Sequence, residues 1–150
     1  MLRTIFAVVT IAVGVSAAVA QQDVIKERKK LMKGNGNQAK VGAEMAKGER
    51  PFDLATARKI FAEFEETASK VATLWPQNSI DQPTADDPYS ASPKIWENMD
   101  DFKARLAKLG SESKAASESV KDLDSFKAAF TNIGKNVCGG CHEKYRLKKG

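Results

Sequence analysis

Five consecutive residues near the end of the chain combine two thiols and an imidazole: Cys138-Gly139-Gly140-Cys141-His142. A thiol adds across a vinyl group to make a thioether, and an imidazole nitrogen ligates iron. Cysteines two residues apart match the gap between the two vinyl groups of a porphyrin, and a histidine directly after them falls under the metal. Gly139 and Gly140 place no side chain between the backbone and the porphyrin edge. The pattern reads as the attachment site of one covalently bound haem c, bonded through Cys138 and Cys141 and ligated by His142. Three other chemistries use the same residue types. A thioredoxin-like redox pair sits at the start of a helix that follows a strand. A structural zinc site needs four protein ligands; these are the only cysteines and the only histidine, so a carboxylate would have to complete it. A disulfide closing so short a loop would be a poor staple.

The remaining composition narrows the setting. The chain carries 24 Lys and Arg against 19 Asp and Glu. Positive and negative residues alternate instead of forming one stripe, which argues against a nucleic-acid partner. The start, MLRTIFAVVTIAVGVSAAVAQQD, has the layout of a secretory signal peptide. Arg3 lies beside the amino terminus, the apolar run from Thr4 to Val15 is too short for a good membrane span, and Ala18-Val19-Ala20 is a cleavage site. An uncleaved anchor is the alternative. The expected organisation is therefore a leader over residues 1–20 and a single haem domain over 21–150, large enough for its own core. No comparable apolar stretch follows Ala20, so no membrane span is expected in the mature chain. Haem attachment of this kind takes place on the outer face of the bacterial membrane, which makes the periplasm the expected compartment. The Arg146-Leu147-Lys148-Lys149 run is either a contact for an acidic redox partner there or an ordinary solvated tail.

Four segments with helical periodicity must position the motif. The first runs roughly from Val24 to Lys47. Its inward positions are expected at Ile25, Arg28 or Lys29, Met32, Gly36, Ala39, Gly42 and Met45, with Leu31 alongside. Gly34, Asn35, Gly36 and Asn37 are weak helix formers. They read either as a loop between two short helices or as small residues that admit something large and flat. The second helix runs from the N-cap Asp53 to about Trp75, with Ala57, Phe61, Phe64, Ala68, Val71 and Trp75 on one face. Pro76 to Ser92 is an aperiodic connection of a length that usually spans a distance or covers a site. The third helix begins at Ser92-Pro93 and follows a stripe from Ile95 through Phe102 and Leu106 to Val120, with Gly110 as a candidate bend. The fourth starts near Asp122 or Asp124 and ends around Arg146, with Phe126, Phe130, Ile133, Val137 and Cys141 sharing a face. Strand alternation of useful length is not found. Four amphipathic helices bury their faces by packing together, so the fold class is all-α, an antiparallel four-helix bundle.

With the motif inside the last helix of such a bundle, the chain resembles the class II c-type cytochromes, the group of cytochrome c′ and the low-spin cytochrome c-556. The resemblance covers essentially all of residues 21–150. It includes the aromatic and basic residues after the motif, Tyr145 and Arg146, the Ser92-Pro93-Lys94-Ile95-Trp96 helix start and the Phe126-Lys127-Ala128-Ala129-Phe130 segment. It implies that Arg146, one turn beyond His142, lies on the proximal side of the haem, where a fixed positive charge favours reduced iron. It also implies that a side chain of the first helix covers the distal face. In cytochrome c′ that residue is bulky and cannot ligate; in the c-556 type it is a methionine in a Lys-Leu-Met stretch, which Lys30-Leu31-Met32 matches. Gln21-Gln22-Asp23 and Ala46-Lys47-Gly48-Glu49 also resemble the c-556 type. Met32 is thus the expected second axial ligand, with Met45 and Met99 as weaker rivals and core filling as its plainer role. The implied function is that of an electron carrier and not an enzyme: the chain offers no distal histidine, and Arg28 and Asn35 do not make a peroxidase constellation. The competing function is capture of nitric oxide or carbon monoxide by a high-spin, five-coordinate haem. Relatives of this type are often dimers, so a homodimer is expected.

Overall fold

The computed structural model describes residues 12–77 and 79–148, with side chains from Gln21 onward. Residues 1–11 of the expected leader lie outside the described residues. The elements are α1 (Ala12–Lys47), α2 (Leu54–Val71), β1 (Tyr89–Ala91), α3 (Lys94–Glu97), α4 (Met99–Ser119), α5 (Leu123–Asn132), a π-helical segment (Ile133–Gly139), α6 (Gly140–Tyr145) and β2 (Arg146–Lys148). The bundle consists of α1, α2, α4 and the unbroken run from α5 through α6, with α2 and α4 forming the most extensive pairing. No described helix is long and apolar enough to cross a membrane.

Helix α1 passes without interruption through Gly34 to Asn37, so the reading of a loop there is corrected. Packing on both sides, at buried Arg28 and at buried Gly42 and Met45, outweighs the weak local propensity. The expected inward positions Arg28, Met32, Ala39, Gly42 and Met45 hold, and one position differs. Gly36 is exposed, whereas Asn35 is half-buried, which places 28, 32, 35, 39 and 42 on one face at helical steps of three and four. At Gly42, α1 approaches the last helical run closely: a Cβ there would overlap the Phe130 ring. The helix stops at Gly48, φ +80°. The Gly48 N–H donates to the Met45 carbonyl and the Glu49 N–H to the Glu44 carbonyl, at 3.1 and 2.9 Å, the paired bonds of a Schellman motif.

Asp53 caps α2 as expected, accepting from the Thr56 N–H at 2.7 Å. The helix ends at Val71, one turn before Trp75; beyond it the Thr73 and Leu74 N–H groups reach the Lys70 and Val71 carbonyls in a tightened last turn, and Pro76 follows. The third helix is divided: Asn98, at φ −134° and ψ 49°, separates α3 from α4. Gly110 does not interrupt α4; a Cβ there would touch the Ala68 Cβ at 3.7 Å, so this position is where α2 and α4 meet. A capping box between Asp122 and Ser125 starts α5. The last run ends at Tyr145, and Arg146 begins a strand. That strand pairs with β1 in antiparallel register, Tyr89 opposite Lys148 and Ala91 opposite Arg146. Three-residue strands are too short to leave an alternation in the sequence, which is why neither was expected.

Two apolar clusters fill the interior. The larger contains Met45, Ile60, Phe61, Phe64, Leu109, Phe126, Ile133 and Val137. The second contains Val71, Ile95, Phe102, Leu106 and Tyr145, with Met32, Trp75, Trp96, Met99 and Cys141 packed against it. Gly42→Ala should destabilise the holoprotein by about 1–3 kcal/mol in urea unfolding, since the Phe130 ring must leave its stack on Phe126. Gly34→Ala, where a Cβ meets nothing within 4 Å, should instead stabilise by roughly 0.5–1 kcal/mol. Equal effects at the two positions would contradict the helix phase.

Candidate functional site

The Cys-x-x-Cys-His motif starts in the last turn of the π-helical segment and continues into α6. Cys138 packs against the larger cluster and Cys141 against the aromatic one. Both cysteines are half-buried and free of a disulfide. Burial pushes the Cys138 thiol up from its ordinary range, helped by Cys141; burial also raises Cys141, with Arg105 opposing. Both are therefore neutral thiols near pH 7. His142 is half-buried, and burial together with the charge of Arg146 lowers its pKa to about 4. Its imidazole is neutral at pH 7, with a nitrogen lone pair available to a metal.

Helix α6 is pinned by α4 and by the connection before it. The Arg105 guanidinium donates to the Gly140 carbonyl at 3.1 Å and to Asp101 at 3.0 Å. The Lys144 ammonium donates to the same Asp101 oxygen at 2.9 Å, and so does the Tyr145 hydroxyl. These bonds, the one from Tyr145 first, hold the Asp101 carboxyl far below the usual range. The Tyr145 carbonyl accepts the Ser92 N–H at 3.0 Å. The Tyr145 ring meets Phe102 edge-on at 5.2 Å between centroids, and Phe102 meets Trp75 likewise at 4.7 Å. Asp101 and Arg105 were not singled out from the sequence, although their i,i+4 spacing on a helix was a legible signal.

Met32 packs, half-buried, on the same cluster that receives Cys141. Met99 reaches that cluster from α4, whereas Met45 is buried in the other one. Arg146 requires a correction. It is on β2 and not one helical turn beyond His142, because the helix stops at Tyr145. Its guanidinium lies 4.5 Å over the Tyr89 ring, although its charge still reaches His142.

This set of groups suits a haem: two neutral thiols, a neutral imidazole, and the Met32 and Met99 thioethers on the aromatic-walled cluster that also receives Cys141. Asn35 Oδ1, on the Met32 face of α1, and Trp75 Nε1, in the aromatic cluster, are buried without a hydrogen bond. Buried polar atoms are seldom left without a partner, so both retain hydrogen-bonding capacity for a further group.

The chain matches the family model "Cytochrome C′" over residues 23–146. It is 39% identical over 150 residues, the whole of both chains, to a cytochrome c-556 of Rhodopseudomonas palustris. It is 38% identical to a cytochrome c′ of the same organism, over 93% of this chain and 92% of that one. The fold superposes on a structural model of oxidised R. palustris cytochrome c556 with a TM-score of 0.73 at 38% identity, covering 86% of this chain and 99% of the other. Nearly equal likeness to a c-556 and a c′ means that overall identity does not select the sixth iron ligand. The all-α bundle, the carboxyl-terminal motif and these matches agree: the chain belongs to the cytochrome c′ family of class II c-type cytochromes, whose cofactor is covalently bound haem c.

Proposed function

We propose that this protein is an exported one-electron carrier whose haem c is bonded through Cys138 and Cys141 and held between His142 and Met32. The observation that carries this reading is the position of Met32, on α1, against the same aromatic-walled cluster as Cys141. The bound haem supplies a one-electron ferric/ferrous couple. The chain's residues supply its surroundings. His142 is neutral and half-buried, so no proton has to leave before it binds iron. A thioether opposite an imidazole favours low-spin iron and a raised potential. The Arg146 charge near His142 adds to the preference for the reduced state. The Asp101, Arg105 and Tyr145 bonds hold the backbone of the motif at Gly140 and the end of α6 against α4.

The leader-like residues 1–20 support export to the periplasm with cleavage after Ala20. The basic strand β2, with Leu147 45% exposed on it, is our candidate contact for an acidic redox partner. A homodimer in solution is part of the same proposal, as is the absence of enzymatic turnover.

Four outcomes are expected. Intact mass under denaturing, reducing conditions should show the chain from Gln21 carrying one haem; haem lost to acid-acetone would exclude thioethers at Cys138 and Cys141. Expression without residues 1–20 should yield apoprotein in the cytoplasm. The ferric holoprotein should be low-spin, and Met32→Ala should convert it to a high-spin form that binds carbon monoxide when reduced; a wild type already high-spin and five-coordinate would place the gas-binding reading first. Finally, Asp101 carries a folded-state pKa below its value of 3.8 in a free chain. Its contribution to stability is therefore present above that value and is lost as pH falls below it. Urea unfolding should show Asp101→Asn removing part of the acid sensitivity of the wild type, and an unchanged profile would remove Asp101 from this role.

A further inference from the structure

Arg28 is 3% exposed and lies one helical turn before Met32, on the same face of α1. Its guanidinium sits 4.3 Å from the Trp75 ring centroid. It donates to the Ser79 hydroxyl at 2.8 Å, the Ser79 carbonyl at 2.6 Å and the Leu74 carbonyl at 3.3 Å. Among the described residues, the carboxylate that meets it is Asp81, at 3.1 Å with a side chain only 7% exposed. The other Asp81 oxygen takes the Lys29 ammonium at 3.2 Å. The oxygen facing Arg28 also accepts the Ala91 N–H at 3.2 Å. Ala91 is the β1 residue paired with Arg146, and the next residue, Ser92, donates its N–H to the Tyr145 carbonyl at 3.0 Å.

One buried carboxylate therefore bonds two consecutive residues of α1 and the strand that is paired with the chain just after His142. Buried ion pairs add little stability over apolar packing, and their best-attested use is to specify register. We propose that Asp81 is a positioning residue: it locks the turn of α1 that carries Met32 to the segment that follows His142, and so fixes the separation of the two axial side chains. The proposal rests on the reading that Met32 ligates the iron. Without the Asp81 charge, Arg28 keeps its bonds to Ser79 and Leu74 but is a buried cation with no counter-charge, which weakens its hold against Trp75. The preceding turn of α1 loosens with it, and Met32 loses its fixed distance from His142.

The test uses the exported holoprotein with Asp81→Asn, which keeps the side-chain shape and removes the charge. Phe61→Leu, in the larger cluster remote from this network, serves as a control for lost stability. Asp81→Asn should give a mixed low-spin and high-spin ferric spectrum and speed carbon monoxide binding to the ferrous protein by about tenfold or more. Phe61→Leu should lower the melting temperature at least as far with the wild-type spectrum intact. Amide hydrogen exchange should rise in Asp81→Asn at residues 28–35 and at 89–92 with 146–147 together, while α2 and α4 keep wild-type protection. An unchanged spin state with faster exchange confined to 76–92 would overturn the proposal and leave Asp81 a loop staple. If the wild type is itself high-spin, the Met32 ligation reading has failed, and exchange alone decides Asp81: joint loosening of α1 and the two strands supports the lock, and loosening of either without the other refutes it.

Discussion

The turn of helix that carries Cys138 and Cys141 is shared between two apolar clusters, and this sharing constrains everything around it. Ile133 and Val137 are buried in the larger cluster, and Tyr145 in the aromatic one. The residues that must face inward recur at 133, 137, 141 and 145. In a regular α-helix each four-residue step would carry the face about 40° further round. The wider turns of the π-helical segment from Ile133 to Gly139 offset that drift, so one run of helix serves both clusters. Such segments are uncommon and concentrate at functional sites. Sliding the run by a residue would take Val137 from one cluster and Tyr145 from the other, so the height of His142 in the bundle is fixed from both sides.

Charge is managed around this helix by pairing. Asp101 gathers Arg105, Lys144 and the Tyr145 hydroxyl. Arg28 is paired where it is buried, and His142 is kept neutral by burial. Around the motif, Arg105 is tied to the Gly140 carbonyl and Asp101, and Arg146 is held at the surface over Tyr89.

Much of this was legible in the sequence where information is local. The faces of α2 and α4 follow from Phe61, Phe64, Ala68 and Val71, and from Phe102, Leu106 and Leu109, because each residue's burial is set by its spacing. The Cys138-to-His142 motif is legible because its chemistry is contained in five neighbouring residues. What was not legible depends on contacts across the chain. Nothing near Asp81 announces that it meets Arg28, more than fifty positions earlier. The strand at Arg146 exists because Tyr89 to Ala91 comes to lie beside it, and that pairing displaced the expected helical position of Arg146. The inward turn of Asn35 in place of Gly36 is a difference at one position, between Met32 and Ala39, where both steps of three and four keep the helical face.

The central claim is that a sulfur of this chain occupies the sixth iron position opposite His142. Iron-edge X-ray absorption on the ferric wild-type holoprotein, beside Met32→Ala, addresses it most directly. The account predicts one sulfur atom bonded to iron in the wild type and none in the variant. Five-coordinate iron with only nitrogen neighbours in the wild type, or a sulfur that persists in Met32→Ala, would contradict it.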